Sequence, residues 1–357
     1  MVAQGSSRAE DAPRTPSSRP AMPQLYKDNH YVPQLYLKRW SVDERILTYS
    51  LLVAHHNVPL WKPHSPKWIA FHQHLYTGIV DGQESDELER WLCREFEDPA
   101  QEPLSRATGD DRLDPDDWHK LVRFAFAQDV RTPAYLRKFI QRQKESLPAL
   151  LDSAVQKSAE KLMNGEIPKN EEEKIENNRI PLKVSVEASD DDESGVLRAE
   201  TLIGRSLWHW AIRQALTNTI AKVPNNGWTI RKPAQGYTWP TSDNPLIKLS
   251  YRDELNYNFG GGWDVPRGDV FLPLSPTHLL HRCGGVRPPI RGDRLDVATT
   301  EKIIRIIVEH ADRYVFAHQE FNVESIRKRI VDGRLVKEEQ AAWKNWHLDQ
   351  AQAEQGY

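Results

Sequence analysis

Apolar residues along this chain change their spacing several times, and each change marks an element. Ile46 to Val53 is rich in β-forming residues and predicts a strand, with Ser41-Val42-Asp43 as the turn before it. A second strand is expected within Trp68 to Ile79, closed by the Asp81-Gly82 turn. Helical spacing follows. Ser85 can cap a helix carrying Leu88, Trp91, Leu92 and Phe96 up to Pro99. Asp114-Pro115 is a stronger start, an N-cap followed by proline in the first helical position. Its stripe runs through Trp118, Leu121, Val122, Ala125 and Phe126. That helix should stop near Thr132, because the residue before Pro133 disfavours the α region. Tyr135 to Met163 then predicts a further helix.

Residues 164–198 break the pattern with Glu171-Glu172-Glu173 and Asp190-Asp191-Asp192-Glu193. They read as an acidic loop or hairpin insertion in which Ile180 to Val186 alternates like a strand. Helix returns over Glu200 to Val223, followed by short strands at 228–230, 246–249, 269–272 and 278–281. Ala298 to His310 predicts helix, Tyr314 to Phe316 strand, and Val323 to Ile330 helix. The tail after Gly333 is polar and expected to fray, although Trp343 and Trp346 could dock. Helices and strands are segregated along the chain rather than alternating. That favours an α+β fold, with a helix-rich middle packed on a small, mostly antiparallel sheet of N- and C-terminal strands. The expected organisation is a disordered lead over residues 1–24, one α+β domain over 25–333 and the tail over 334–357.

Composition narrows the class. At 39% hydrophobic and 28% charged residues, the 357-residue chain suits a globular protein and not a disordered one. A net charge of −3 gives no global basic surface, so charge does not support a nucleic-acid partner, and only a local basic patch would restore one. Cys93 and Cys283 stand far apart, which suits a reducing compartment and gives no disulfide framework. No apolar run approaches a bilayer span, and the first twenty-two residues lack the apolar core of a secretory signal. A cytoplasmic protein without a membrane partner is the expectation.

Four segments carry a resemblance. They are Asn29-His30-Tyr31-Val32-Pro33 with Leu35-Tyr36-Leu37-Lys38-Arg39-Trp40, then Gln128-Asp129-Val130-Arg131-Thr132-Pro133, then Thr241-Ser242-Asp243-Asn244-Pro245, and Leu272-Pro273-Leu274-Ser275-Pro276. Together and in this order the chain resembles the bacterial domain-of-unknown-function family numbered 4238. The resemblance implies an intracellular bacterial protein without an established activity. Asp129 departs from it, standing where the family is mostly apolar or aromatic.

Ionisable residues inside three of these motifs are the candidate chemistry. His30 could ligate a metal or act as an acid/base, since imidazole titrates near neutrality, or it could anchor the extended entry segment. Asp243 could be a metal ligand or acid/base on a site loop, with Ser242, Asn244 and Gln128 contacting substrate. Arg131 could hold an anionic group such as phosphate. So combined, His30, Arg131 and Asp243 would make a hydrolase or nuclease using a divalent metal. The alternative is a non-enzymatic binding or regulatory module in which the same residues are buried ties. Asp129 lies about 20° from Trp118 on an ideal helix, in the apolar stripe, and is expected to tie to Arg131 or backbone, the alternative being an added carboxylate of the site. His72 and His74 would share a strand face as metal ligands, enriched by nearby His55, His56 and His64. Glu89 could supply another site carboxylate but reads first as an exposed or capping residue, and Gly260-Gly261-Gly262 reads as a turn without phosphate-loop spacing.

Overall fold

The structure, a computed structural model, describes residues 25–80, 82–165, 181–188, 195–224, 226–253, 256–285 and 287–355. The expected lead over residues 1–24 and both acidic runs, Glu171–Glu173 and Asp190–Glu193, lie outside the described residues. Helices are α1 (Gln34–Leu37), α2 (Glu87–Leu92), α3 (Gln101–Thr108), α4 (Pro115–Val130), α5 (Pro133–Met163), α6 (Arg205–Gln214), α7 (Val297–His310) and α8 (Gly333–Glu354). The fold is α+β.

Local chemistry sets the α4 and α5 boundaries. Asp114 accepts the Asp117 N–H while the Asp117 side chain accepts the Asp114 N–H, a reciprocal cap ahead of Pro115. The chain turns at Arg131-Thr132, and Thr132 Oγ1 accepts the Tyr135 N–H to start α5.

Two antiparallel sheets dominate. One has the order Trp228–Arg231, His278–Cys283, Gly268–Ser275, Ile247–Tyr251, Tyr257–Asn258. The other joins both ends of the domain in the order Thr241–Ser242, Tyr314–Ala317, Ile46–Ser50, Trp61–His64. The main core collects Trp40, Phe124, Trp208, Leu272 and Phe316, which places α4 and α6 against both sheets. A second cluster packs α7 through Ile303, Ile306 and Ile307 on Ile247, Leu249 and Phe271 of the five-stranded sheet. Trp40 Nε1 donates to the Trp239 carbonyl, so the first motif is anchored to the chain just before the Ser242-Asp243 strand.

Several expectations need correction. Residues 195–201 form a strand paired with Leu182–Ala188, so the helix expected from Glu200 starts at Arg205 instead. Val323 to Ile330 is not helical. Asn322 bonds Ser325 locally, Arg327 Nη1 donates to the Glu309 and Ala311 carbonyls, and Ile330 pairs in parallel with Leu52. Tertiary partners there override helical spacing. The tail is the 22-residue helix α8, capped by Asp332 and docked rather than frayed. Trp343 stacks on His72 with ring centroids 3.7 Å apart, and Glu354 pairs with the fully buried Arg205. Trp343→Ala should cost about 2 kcal/mol, below the full burial value because the ring is partly exposed. Urea denaturation measures it; an unchanged midpoint would mean that the stack does not hold α8.

Candidate functional site

Arg131 ends α4 with no exposed surface. Its Nη1 meets Glu97 Oε1 at 2.6 Å, its Nη2 donates to the His30 carbonyl at 2.7 Å, and its own carbonyl accepts the Tyr76 hydroxyl. Burial opposes the charge, but Glu97, Tyr76 and Glu89 outweigh it and raise the guanidinium pKa. Glu89 is not the exposed residue expected. Its Oε2 is buried without a hydrogen-bond partner among the described residues, and burial, only partly offset by Arg131, pushes its pKa up to about 8. His30 pairs in the strand Asp28–His30 with Phe71–Gln73 and its Nε2 lies 3.2 Å from the Lys67 carbonyl. Burial lowers its pKa.

The Ser242-Asp243-Asn244 strand end is equally engaged. Asp243 Oδ1 accepts the Asp312 N–H at 2.8 Å and Oδ2 the Arg313 N–H at 2.7 Å, fixing the turn between α7 and the strand Tyr314–Ala317. Burial and the neighbouring Asp312 raise the Asp243 pKa against those bonds. Ser242 Oγ accepts the Asn244 N–H. Asn244 reaches Thr132 Oγ1 through Oδ1 and the His310 carbonyl through Nδ2, while its carbonyl accepts His310 Nδ1–H at 3.0 Å. Burial and Lys138 push His310 down to about 4, so its ring is neutral and fixed as the Nδ1–H tautomer. Gln128 is fully buried, donates to the Phe124 carbonyl and keeps Oε1 without a partner among the described residues.

The motifs are thus brought together, Arg131 onto His30 and Thr132 onto Asn244, and they frame a groove along the first turns of α5. Three adjoining cavities make it up. One, of about 350 Å³, holds Tyr31, Pro133 and Asp243 from three motifs, with Arg137, Asp312 and Trp343. The next, about 290 Å³, shares Arg137 and Asp312 and adds Lys138, Asn244 and His310. The last, about 210 Å³, continues with Asn244 and His310 to Lys138, Arg142, Lys248 and Asp129. Asp129 does not tie to Arg131; Lys248 Nζ holds it at 2.5 Å and Trp263 Nε1 at 3.3 Å. Gly261 walls this end, where a Cβ would lie 2.3 Å from the Leu249 carbonyl oxygen. Arg137 pairs with Asp312. Among the described residues, no carboxylate pairs with Lys138 or Arg142. A larger cavity of about 650 Å³ lies beside the first half of α7, and no motif residue lines it.

His72 and His74 do not form a shared ligand pair. The strand ends at Gln73 and His74 takes a left-handed φ of 57°, which sends the rings to different partners. His72 lies between Trp343 and Tyr31, with burial pushing its pKa down to about 3, while His74 stacks on His347. Nearby, His55 and His56 are exposed. Two other clusters bring metal-type ligand atoms together: His74, Glu84 and His347, and Asp269, His281 and Cys283. Only the alternating His281-Arg282-Cys283 could have signalled the second from sequence.

The structure is thus an α+β frame in which residues of three of the four motifs line one groove. The chain belongs to the family described as Protein of unknown function (DUF4238), matched over residues 28–321. No curated protein and no solved structure matches it. Among the described residues, no helix is long and apolar enough to cross a membrane.

Proposed function

We propose that this chain is a binding module that recognises an anionic ligand, bearing phosphate or carboxylate, in the groove along α5. The observation that carries it is Lys138 and Arg142 lining the 210 Å³ cavity beside Asn244 with no carboxylate partner among the described residues. Cations left without a counter-charge in a concave site favour an anion, and a guanidinium can grip it through two parallel bonds. His30, Arg131 and Asp243 serve as ties that shape the groove. Sparse cysteines and the family resemblance support a bacterial cytoplasmic setting.

A metal-dependent hydrolase or nuclease at His30, Arg131 and Asp243 is the second reading. The raised Asp243 carboxyl beside Asp312 in the 350 Å³ cavity favours it. It is the weaker one, because both Asp243 oxygens accept backbone N–H groups and Arg131 is enclosed around Glu97.

Thermal melting with inorganic phosphate, pyrophosphate and citrate tests the proposal. Ligand at a hundredfold excess over its Kd should stabilise the fold by about 2.7 kcal/mol, and a Lys138→Glu/Arg142→Glu chain should lose that shift. Equal shifts in both chains would place the anion elsewhere.

A further inference from the structure

A second site lies on the five-stranded sheet, away from the motif residues. Asp269 and Cys283 face each other directly across the pair of strands Gly268–Ser275 and His278–Cys283. His281 stands two residues before Cys283, so all three side chains project from the same sheet face. His281 Nε2 lies 3.0 Å from Asp269 Oδ1 and 3.2 Å from Cys283 Sγ, and the three ligand atoms fall within 4.8 Å of one another.

That convergence does not fit a thiol nucleophile. A Cys–His–Asp relay divides the imidazole, one nitrogen to the thiol and the other to the carboxylate. Here Nε2 faces both, and Nδ1 is 3.9 Å from the sulfur. Cys283 also hydrogen-bonds Asp269, so all three polar side chains meet around one point. A coordination sphere accounts for the arrangement better. Tetrahedral bonds at zinc-type lengths put N and S about 3.6 Å apart and N and O about 3.3 Å apart, so the observed spacings need to open by only a few tenths of an ångström.

We infer that Asp269, His281 and Cys283 form a binding site for a zinc-class divalent transition metal. Thiolate and carboxylate together balance the ion's charge, and sulfur with imidazole selects a borderline-soft metal over magnesium or calcium. The Asp269 side chain keeps one fifth of its surface exposed, which gives a path for entry and leaves a fourth position for water or a ligand group. Around these ligands, Tyr251 hydrogen-bonds Asp269, and Phe271 packs on the His281 ring at 4.6 Å. Thr229, paired in register with His281, keeps a buried Oγ1 that has no hydrogen-bond partner among the described residues.

The His74, Glu84, His347 cluster is the poorer coordination site. Its two imidazoles are stacked at 3.9 Å and 17°, so their in-plane lone pairs run side by side instead of meeting. The Arg205 guanidinium also sits 2.9 Å from His347 Nδ1, where its charge opposes a cation.

Cobalt(II) titration of the full, metal-stripped chain tests the site. One equivalent should bind with a thiolate-to-cobalt charge-transfer band that zinc abolishes by competition. Cys283→Ser should remove the band and weaken binding at least tenfold, and Asp269→Asn should weaken it similarly, whereas Cys93→Ser and His347→Ala should do neither. Because a core variant can fail to fold, the unmodified chain supplies an independent reading: zinc should slow alkylation of Cys283 at least tenfold and leave Cys93 unchanged. A titration without the band, or zinc leaving Cys283 labelling unchanged, would overturn the assignment.

Discussion

Arg131→Met should cost about 3–5 kcal/mol of folding stability, read as a drop in the urea midpoint with an unchanged slope. The reason is the set of groups it leaves behind. Glu97 Oε1, the His30 carbonyl and the Tyr76 ring and hydroxyl all meet one guanidinium that has no exposed surface. Removing that cation strands Glu97 beside the already raised Glu89 and frees a buried carbonyl, and both effects are costly in a low-dielectric interior. Lysine does not restore the site, because three contacts in different directions need the planar fork of arginine. Anion binding at Lys138 and Arg142 should survive in whatever fraction remains folded, since Arg131 does not line that cavity. A variant that keeps its stability but abolishes ligand binding would reverse the assignment of Arg131 as a tie.

What was legible in the chain follows from how local each signal is. α4 could be placed because Asp114, Asp117 and Pro115 start it within one turn and Pro133 ends it. By contrast α8 could not. Its contact stripe is Trp343, Trp346, His347, Gln350 and Glu354, which works through ring stacking and polar ties and leaves little apolar periodicity. At the site, the motifs named residues that do converge, Arg131 on His30 and Thr132 on Asn244. Their roles were not readable, because burial and partners decide them. Glu97 and Tyr76 lie 34 and 55 positions from Arg131 in sequence. Asp269 likewise becomes a neighbour of Cys283 only through strand register, which no spacing rule supplies.

Glu89 makes the same interior measurable by pH. Its carboxyl, raised to about 8 by burial, keeps its proton in the folded protein where the unfolded chain would have released it near the ordinary glutamate value. The folded state therefore binds more protons, and stability falls as pH rises. That contribution is fully present below about pH 4.5, is lost progressively as the pH approaches 8, and levels off above it. A neutral Glu89→Gln chain escapes this loss. Relative to it, the wild-type protein should lose on the order of 3 kcal/mol between pH 5 and pH 8. Urea unfolding of both chains across that range gives the difference, in which the other titrating groups cancel. Parallel curves would mean that Glu89 is already ionised and held by Arg131, and a gap widening toward low pH would mean that its pKa is depressed. A gap that opens toward pH 8 instead makes Glu89 a proton held beside the Arg131–Glu97 pair, kept there by burial and the Glu97 charge against the pull of Arg131.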